Sequence, residues 1–285
     1  MRISTETDTI RVPAATARSA GRFTADVMRR FRDADGTSHA RALAYQTVFI
    51  MLSGFIGLVG LASVLGLGEI RRTVQHLATS VAPGPSSRLL QEAAQQGASG
   101  GAAVALLGLG AAWVSGMFAM AQVQRSADRM AGIGHEQERS GAAKYGRAAA
   151  LALPVGILLG VGGLVLAGGS SIVEGFGLSG SADTLWNVVR WPLGVALVGA
   201  GLLLMLRFAP TTPLGTPHRR MAGVGVALAL WTVFTLLLSL YFSMSTTTTR
   251  TYGPLLAVIA LVLWSGLTSL ALHLGTATTV ELDRG

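Results

Sequence analysis

Side chains that could carry out chemistry are few and scattered. Five histidines stand at positions 39, 76, 135, 218 and 273, and none has a metal-ligand spacing such as H-E-x-x-H. His135-Glu136 is followed by Gln137, Glu138 and Arg139, so no second histidine arrives. With no cysteine there is no disulfide, thiol nucleophile or thiolate metal site. Neither a Gly-rich phosphate loop ending in Gly-Lys-Ser/Thr nor a G-x-S-x-G elbow occurs. Paired carboxylates exist only as Asp33/Asp35 and Glu136/Glu138, in polar segments where solvated charge is the ordinary reading. The expectation is therefore no catalytic residue, no metal, no cofactor and no enzyme activity.

What remains is a set of polar groups set against long apolar runs. Arg190 falls in the first turns of one run, placed to snorkel to the interface or to meet an anionic headgroup or carboxylate at a cavity mouth. Arg125 and Arg129 are four apart, share a helix face, and could hold lipid phosphates or simply anchor the helix end; Asp128 points elsewhere. His273, near the end of another run, reads as a hydrogen bond between helices or a proton-relay group. Tyr45 and Tyr252 lie near opposite interfaces, as belt residues do. Ser115, Ser239, Thr268 and Ser269 can satisfy themselves on their own helix carbonyls.

The elements that must position these groups are six runs at 44–66, 101–123, 148–169, 186–208, 221–243 and 254–276. An even spread of the 22 basic and 14 acidic residues would put roughly 17 charges inside them; two are found, Arg190 and Arg207. Water does not demand such segregation, whereas a bilayer does. The runs stay apolar without the alternation of barrel strands. The chain is thus expected to be all-α, a polytopic helical membrane protein with six transmembrane helices, and not a soluble α/β enzyme, a disordered chain or a collagen. A polar, Arg-rich arm (1–41), one transmembrane domain (42–277) and a short tail (278–285) make up its organisation.

The formal charge of +8 follows the same geometry. Seventeen basic residues fall in 1–41, 124–147, 207–220 and the tail, against five in the segments at the other end of the runs. The positive-inside rule puts both termini in the cytoplasm, and the charge reads as a topology signal near anionic headgroups rather than as nucleic-acid binding. Residues to about Ala20 read as disordered, and Phe23–Arg41 as a short interfacial helix. The segment 67–100 reads as an external loop of two short amphipathic pieces broken at Pro83-Gly84-Pro85. The second helix is expected to project beyond the membrane and end near Gly132 or Gly134. Gly156/Gly160, the series Gly54, Gly57 and Gly60, and the set Gly194, Gly199 and Gly201 are candidates for close helix contact, within the bundle or in a homo-oligomer.

Ordered residues along the chain also resemble the YihY/BrkB family of bacterial integral membrane proteins. They are Ala42-Leu43-Ala44-Tyr45, Trp113-Val114-Ser115-Gly116, Asp128-Arg129, Glu136 and Arg147 in the first half. Arg190-Trp191-Pro192, Arg207-Phe208-Ala209-Pro210, Trp231, Ser239, Tyr241, the run from Thr251-Tyr252-Gly253-Pro254 to Ile259, Trp264 and Leu274-Gly275 follow. The likeness covers roughly 40–282, with departures: Ser53-Gly54-Phe55 where the family commonly has a proline, Asp128 where it has asparagine, and Thr276-Ala277-Thr278-Thr279 where it often has Ala-Glu-Leu-Asn. The resemblance implies a six-helix protein of the bacterial inner (cytoplasmic) membrane with both termini inside, in a family variously labelled ribonuclease BN or linked to envelope integrity. RNA cleavage generally needs a metal or an acid/base pair, and this sequence offers no motif for either. The function expected is a transporter or lipid/amphiphile translocator, with spans two and four lining the path, Arg190 outside and Arg129 inside. The alternative is an envelope-integrity scaffold using 1–41 and 67–100 as contact surfaces.

Overall fold

The computed structural model describes residues 14–68, 86–134, 141–167, 181–244 and 253–284. Among them are eight helices and no strand: α1 Ala14–Asp33, α2 Gly36–Val64, α3 Ser86–Ser99, α4 Gly101–Ala131, α5 Gly141–Ala167, α6 Ser181–Phe208, α7 Pro217–Met244 and α8 Gly253–Arg284. All except α1 and α3 are long and apolar enough to cross a membrane. At 1.5 Å per residue each outruns a hydrocarbon core of about 30 Å, so their ends carry polar turns beyond it.

The six long helices form a ring in which each packs on the next, α2 on α4, α4 on α5, α5 on α6, α6 on α7, α7 on α8, and α8 back on α2. Leucine gains nothing by leaving lipid tails for another leucine, so glycine sets the crossings. A methyl on Gly57 would lie 2.5 Å from the Leu109 amide nitrogen, and one on Gly108 2.6 Å from the Gly57 nitrogen. Gly223 and Gly275 bring α7 and α8 together in the same way, and Gly162, Gly194 and Gly201 bring α5 onto α6. Gly156 and Gly160 make no close contact within the bundle and border open space. Large apolar residues such as Leu106, Leu107, Val188, Leu236 and Leu240 face outward, as a lipid solvent permits.

Several boundaries differ from the sequence reading. Helix α1 starts at Ala14, inside the stretch expected to lack order, and stops at Asp33, so Phe23–Arg41 is not one helix. The chain turns at Asp35, which takes a left-handed φ of 52°, a conformation Asp tolerates better than most residues. A methyl on Gly36 would strike the Phe31 ring, so the turn needs glycine there. Helix α1 does not lie free at an interface: Val27 and Phe31 are buried with Ala127, Met130, Leu206, Val224, Ala277 and Val280 from four other helices. Where an external loop was expected, α3 forms a packed element between α2 and α8. Its Leu90 is fully buried with Leu238, Phe242, Ala260, Leu261 and Trp264. Helix α8 runs through the expected tail to Arg284, with Thr276, Thr278 and Thr279 hydroxyls bonded to carbonyls four residues back. Helix α4 does end at Gly132, whose φ of 82° lets the Gly132 and Ile133 amides return to the Arg129 and Asp128 carbonyls.

Candidate functional site

Helix α1, the ends of α4 and α8 and the α6–α7 connection meet at one end of the ring. The arginine-rich segments gather there, and beneath them lies a buried polar layer. It can be built outward from Asp128, which is fully buried on α4. Its two carboxylate oxygens accept from one residue, the Thr211 amide at 2.7 Å and the Thr211 hydroxyl at 2.8 Å. Gln124, one turn earlier, donates to the same hydroxyl at 3.3 Å. The irregular segment following α6 is thereby clipped to α4. Pro210 within it is fully buried, and Pro217 opens α7 where its missing amide costs nothing.

A second polar line runs on the face of α4 given by Gln122 and Arg125. The Arg125 guanidinium donates to Gln122 Oε1 at 2.7 Å, and Gln122 Nε2 meets His39 Nδ1 of α2 at 2.5 Å. The His39 ring stacks on His273 of α8, centroids 6.5 Å apart and planes within 12°. His273 Nδ1 lies 2.7 Å from the Ser269 carbonyl. Ser265, Ser269 and His273 follow at four-residue intervals, so they form one stripe along α8, and all three are buried. Among the described residues His273 Nε2, Arg125 Nε and the hydroxyls of Ser265, Thr268 and Ser269 have no hydrogen-bond partner within the protein. Polar groups turned into the interior of apolar helices are costly and cluster on substrate and ion pathways.

Outside this layer lies an ionic shell. Arg30 of α1 pairs with Glu281 of α8 at 2.6 Å and donates to the Met130 carbonyl at 3.0 Å. Arg129 pairs with Asp35 at 3.1 Å, Arg219 with Asp283 at 2.7 Å, and Arg284 donates to the Ala131 carbonyl at 3.1 Å. Arg147 donates to the Phe208 carbonyl at 2.7 Å. Arg29, Arg30, Arg129 and Arg284 together with Asp26, Asp33 and Glu281 line a cleft of about 490 Å³.

Of the residues singled out from the sequence, Arg125, Asp128 and His273 are brought into this layer, and Arg129 lies on its rim. Arg190 does not join them. It sits fifteen residues before Met205, about 22 Å along α6, with its guanidinium 5.3 Å over the Trp191 ring. Tyr45 is 60% exposed on the outer face of α2, as belt residues are, and Tyr252 lies outside the described residues, as does Glu136. Helices α2, α4 and α8 carry the polar line, while α6 brings apolar contacts from Met205 and Leu206. The structure places the signature residues as follows. Gly275 lies against Gly223, buried Trp264 donates to Thr235 at 3.2 Å, Trp231 borders the α3 cluster, Arg207 lies over Phe208, and Gly253 begins α8. Trp191 is exposed beside Pro192, through which α6 continues.

The sequence reading missed His39, Gln122, Gln124, Thr211, Arg30 and Glu281. The four-residue spacing of Ser265, Ser269 and His273 was the available signal for the stripe; His39 was hidden in a segment read as a polar arm. Among the described residues no three His, Asp or Glu side chains approach closely enough to hold a metal.

An all-helical ring of six membrane-length helices with a polar layer at its arginine-rich end defines a multi-pass membrane protein. The family model described as Virulence factor BrkB matches residues 27–285, and the chain belongs to that family. No curated protein and no solved structure shows a significant match.

Proposed function

We propose that the protein is a transporter or amphiphile translocator of the bacterial cytoplasmic membrane, with its arginine-rich end in the cytoplasm. The line from half-buried Arg125 through buried Gln122 to His39 and His273 carries this reading. It places a cation, two imidazoles and a stripe of hydroxyls inside a ring whose outer surface is apolar, and part of their hydrogen-bonding capacity is unspent within the protein. Such groups weaken a purely structural bundle, whereas they suit a path that must replace the water around an anionic or amphiphilic solute. The charge asymmetry supports the orientation, and the mixed-charge cleft suits a lipid headgroup. An enzyme reading gains nothing from this layer, which pairs no acid with a base at a nucleophile.

The scaffold reading receives less support. Its proposed contact surfaces include α1 and α3, and both spend their apolar faces inside the molecule. The test is flux in proteoliposomes, using a fluorescent phospholipid and a fluorescent organic anion. Arg125→Gln should lower flux at least tenfold with little change in melting temperature, and Arg190→Leu should leave it near wild type. No flux of either probe by the wild type, or unchanged flux in Arg125→Gln, would count against transport through this layer.

A further inference from the structure

The hydrogen bonds of the polar line fix which imidazole can take a proton. Guanidinium groups donate and never accept, so Arg125 at 2.7 Å identifies its Gln122 partner as the carbonyl oxygen and leaves the Gln122 amide nitrogen facing His39. That nitrogen also only donates. His39 Nδ1 must therefore be the bare acceptor, and His39 is the neutral ring with its proton on Nε2. The other ring is held the opposite way. Ser269 presents a carbonyl, which only accepts, so His273 Nδ1 carries the proton. In the neutral ring His273 Nε2 is then a lone pair, on a side chain 98% buried, with no hydrogen-bond partner among the described residues.

We infer that the stacked pair is a one-proton binding site in which His273 Nε2 takes the proton and His39 is locked neutral by the Arg125–Gln122 relay. Protonating His273 keeps its bond to Ser269, adds one N–H and leaves the ring with a single positive charge. Protonating His39 would require a proton on Nδ1, against the Gln122 amide. Turning that amide around would set its NH₂ group against the Arg125 guanidinium. The remaining charged groups on helices packed against α8 are largely committed. On α1 Arg30 holds Glu281; on α2 Arg41 is exposed and donates to the Thr37 carbonyl and the Ser38 hydroxyl; on α4 Asp128 holds Thr211 and Arg129 holds Asp35; on α7 Arg219 holds Asp283. Arg220 of α7 is buried with one terminal nitrogen unpartnered, and Arg88 and Glu92 of α3 are exposed. A cation on His273 therefore has the near-parallel ring of His39 as its titratable neighbour, centroids 6.5 Å apart. Two positive rings there would repel each other, which reinforces the limit of one proton.

The inference deepens the transport reading, since a single-proton site beside a translocation path is a means of coupling, but it is tested without flux. Full-length protein with ¹⁵N-labelled histidine is titrated by NMR in micelles from pH 8 to pH 4. Replacing His76, His135 and His218 by Asn leaves the pair as the only signals, and His39→Asn in that background assigns the signal that remains to His273. At pH 8 the two rings should appear as opposite neutral tautomers, His39 as Nε2–H and His273 as Nδ1–H. On acidification one ring should become imidazolium in a one-proton step, while the other stays neutral. In Gln122→Leu the His39 tautomer preference should be lost. Identical tautomers at pH 8, protonation of His39 before His273, two protons taken up, or His273 neutral throughout would each overturn the inference. Flux without proton uptake would sink the inference and leave the transport reading standing; proton uptake without flux would do the reverse.

Discussion

Replacing Asp128 tests how the α6–α7 connection is held to α4. Its carboxylate is fully buried and accepts two hydrogen bonds from Thr211, at 2.7 and 2.8 Å. Hydrogen bonds to a charged group contribute about 1.5–3 kcal/mol each, and a donor left unmet costs about as much as it gave. Because Thr211 is only partly buried, water recovers some of that loss, and Asp128→Ala should cost about 2–4 kcal/mol. Asp128→Asn keeps an acceptor for the Thr211 amide, and the Thr211 hydroxyl can accept from the new NH₂ group, so only the charge assistance goes, about 1–2 kcal/mol. For a chain of this size the alanine variant should melt about 4–12 °C below wild type and the asparagine variant about half as far. Melting in detergent, followed by the loss of the monodisperse peak, reads this. Pairing Asp128→Ala with Thr211→Val should show a coupling of about 1–2 kcal/mol, because the hydroxyl bond is lost only once. An alanine variant melting within about 2 °C of wild type, or strict additivity in the cycle, would refute the clip.

Three further outcomes follow from the packing. Phe31→Ala, which removes a ring that is 3% exposed, should cost about 3–5 kcal/mol and make the α1–α2 turn cleavable by added protease. Glu281→Arg should loosen α1 in the same protease assay, and the double swap with Arg30→Glu should restore protection, since both side chains are less than a fifth exposed. Gly108→Ala puts a methyl 2.6–2.8 Å from Gly57 backbone atoms that cannot give way, and overpacking of that kind costs about 1–3 kcal/mol. Gly156→Ala meets nothing within 4 Å and should melt at or slightly above wild type, a contrast read in one set of melting curves.

The membrane class was legible because a bilayer imposes one requirement on all six long helices, and their hydropathy and charge segregation answer it directly. The glycines were legible as a type but not as a choice. Gly57, Gly162 and Gly156 look alike in sequence, and only the direction of the neighbouring helix separates a crossing from a lipid-facing groove. Helix α3 was read as an amphipathic piece after Pro85, but its packing inside the molecule was hidden because its sequence, rich in Ala, Gln and Ser, buries a narrow apolar edge, Leu90, Ala93, Ala94 and Gly97, rather than a broad one. The ends of α1 and α8 were misplaced for a related reason: their charged residues have partners on other helices, Arg30 of α1 with Glu281 of α8, and Asp283 of α8 with Arg219 of α7. Each read alone as a solvated flank. The polar layer was half visible. Arg125, Asp128 and His273 were found as polar groups near run ends, but His39 lies 234 residues from its ring partner, and no local pattern marks a stacked pair that only the α2–α8 packing creates. Arg190 drew attention as a charge in an apolar run, and the structure gives it a neighbouring indole rather than the polar line.

Transport through this layer, as proposed, requires the buried stripe on α8 to open to an aqueous path. The natural chain has no cysteine, so a single cysteine reports without background. Ser269→Cys, at a side chain 1% exposed, should react with a small, charged, membrane-impermeant thiol reagent in sealed vesicles, and Arg125→Gln should slow that reaction. Leu107→Cys, on the 73% exposed outer face of α4, should stay unlabelled in lipid and react once the protein is moved into denaturant. A Ser269→Cys protein that is folded yet never labelled from either side of the membrane would contradict the account.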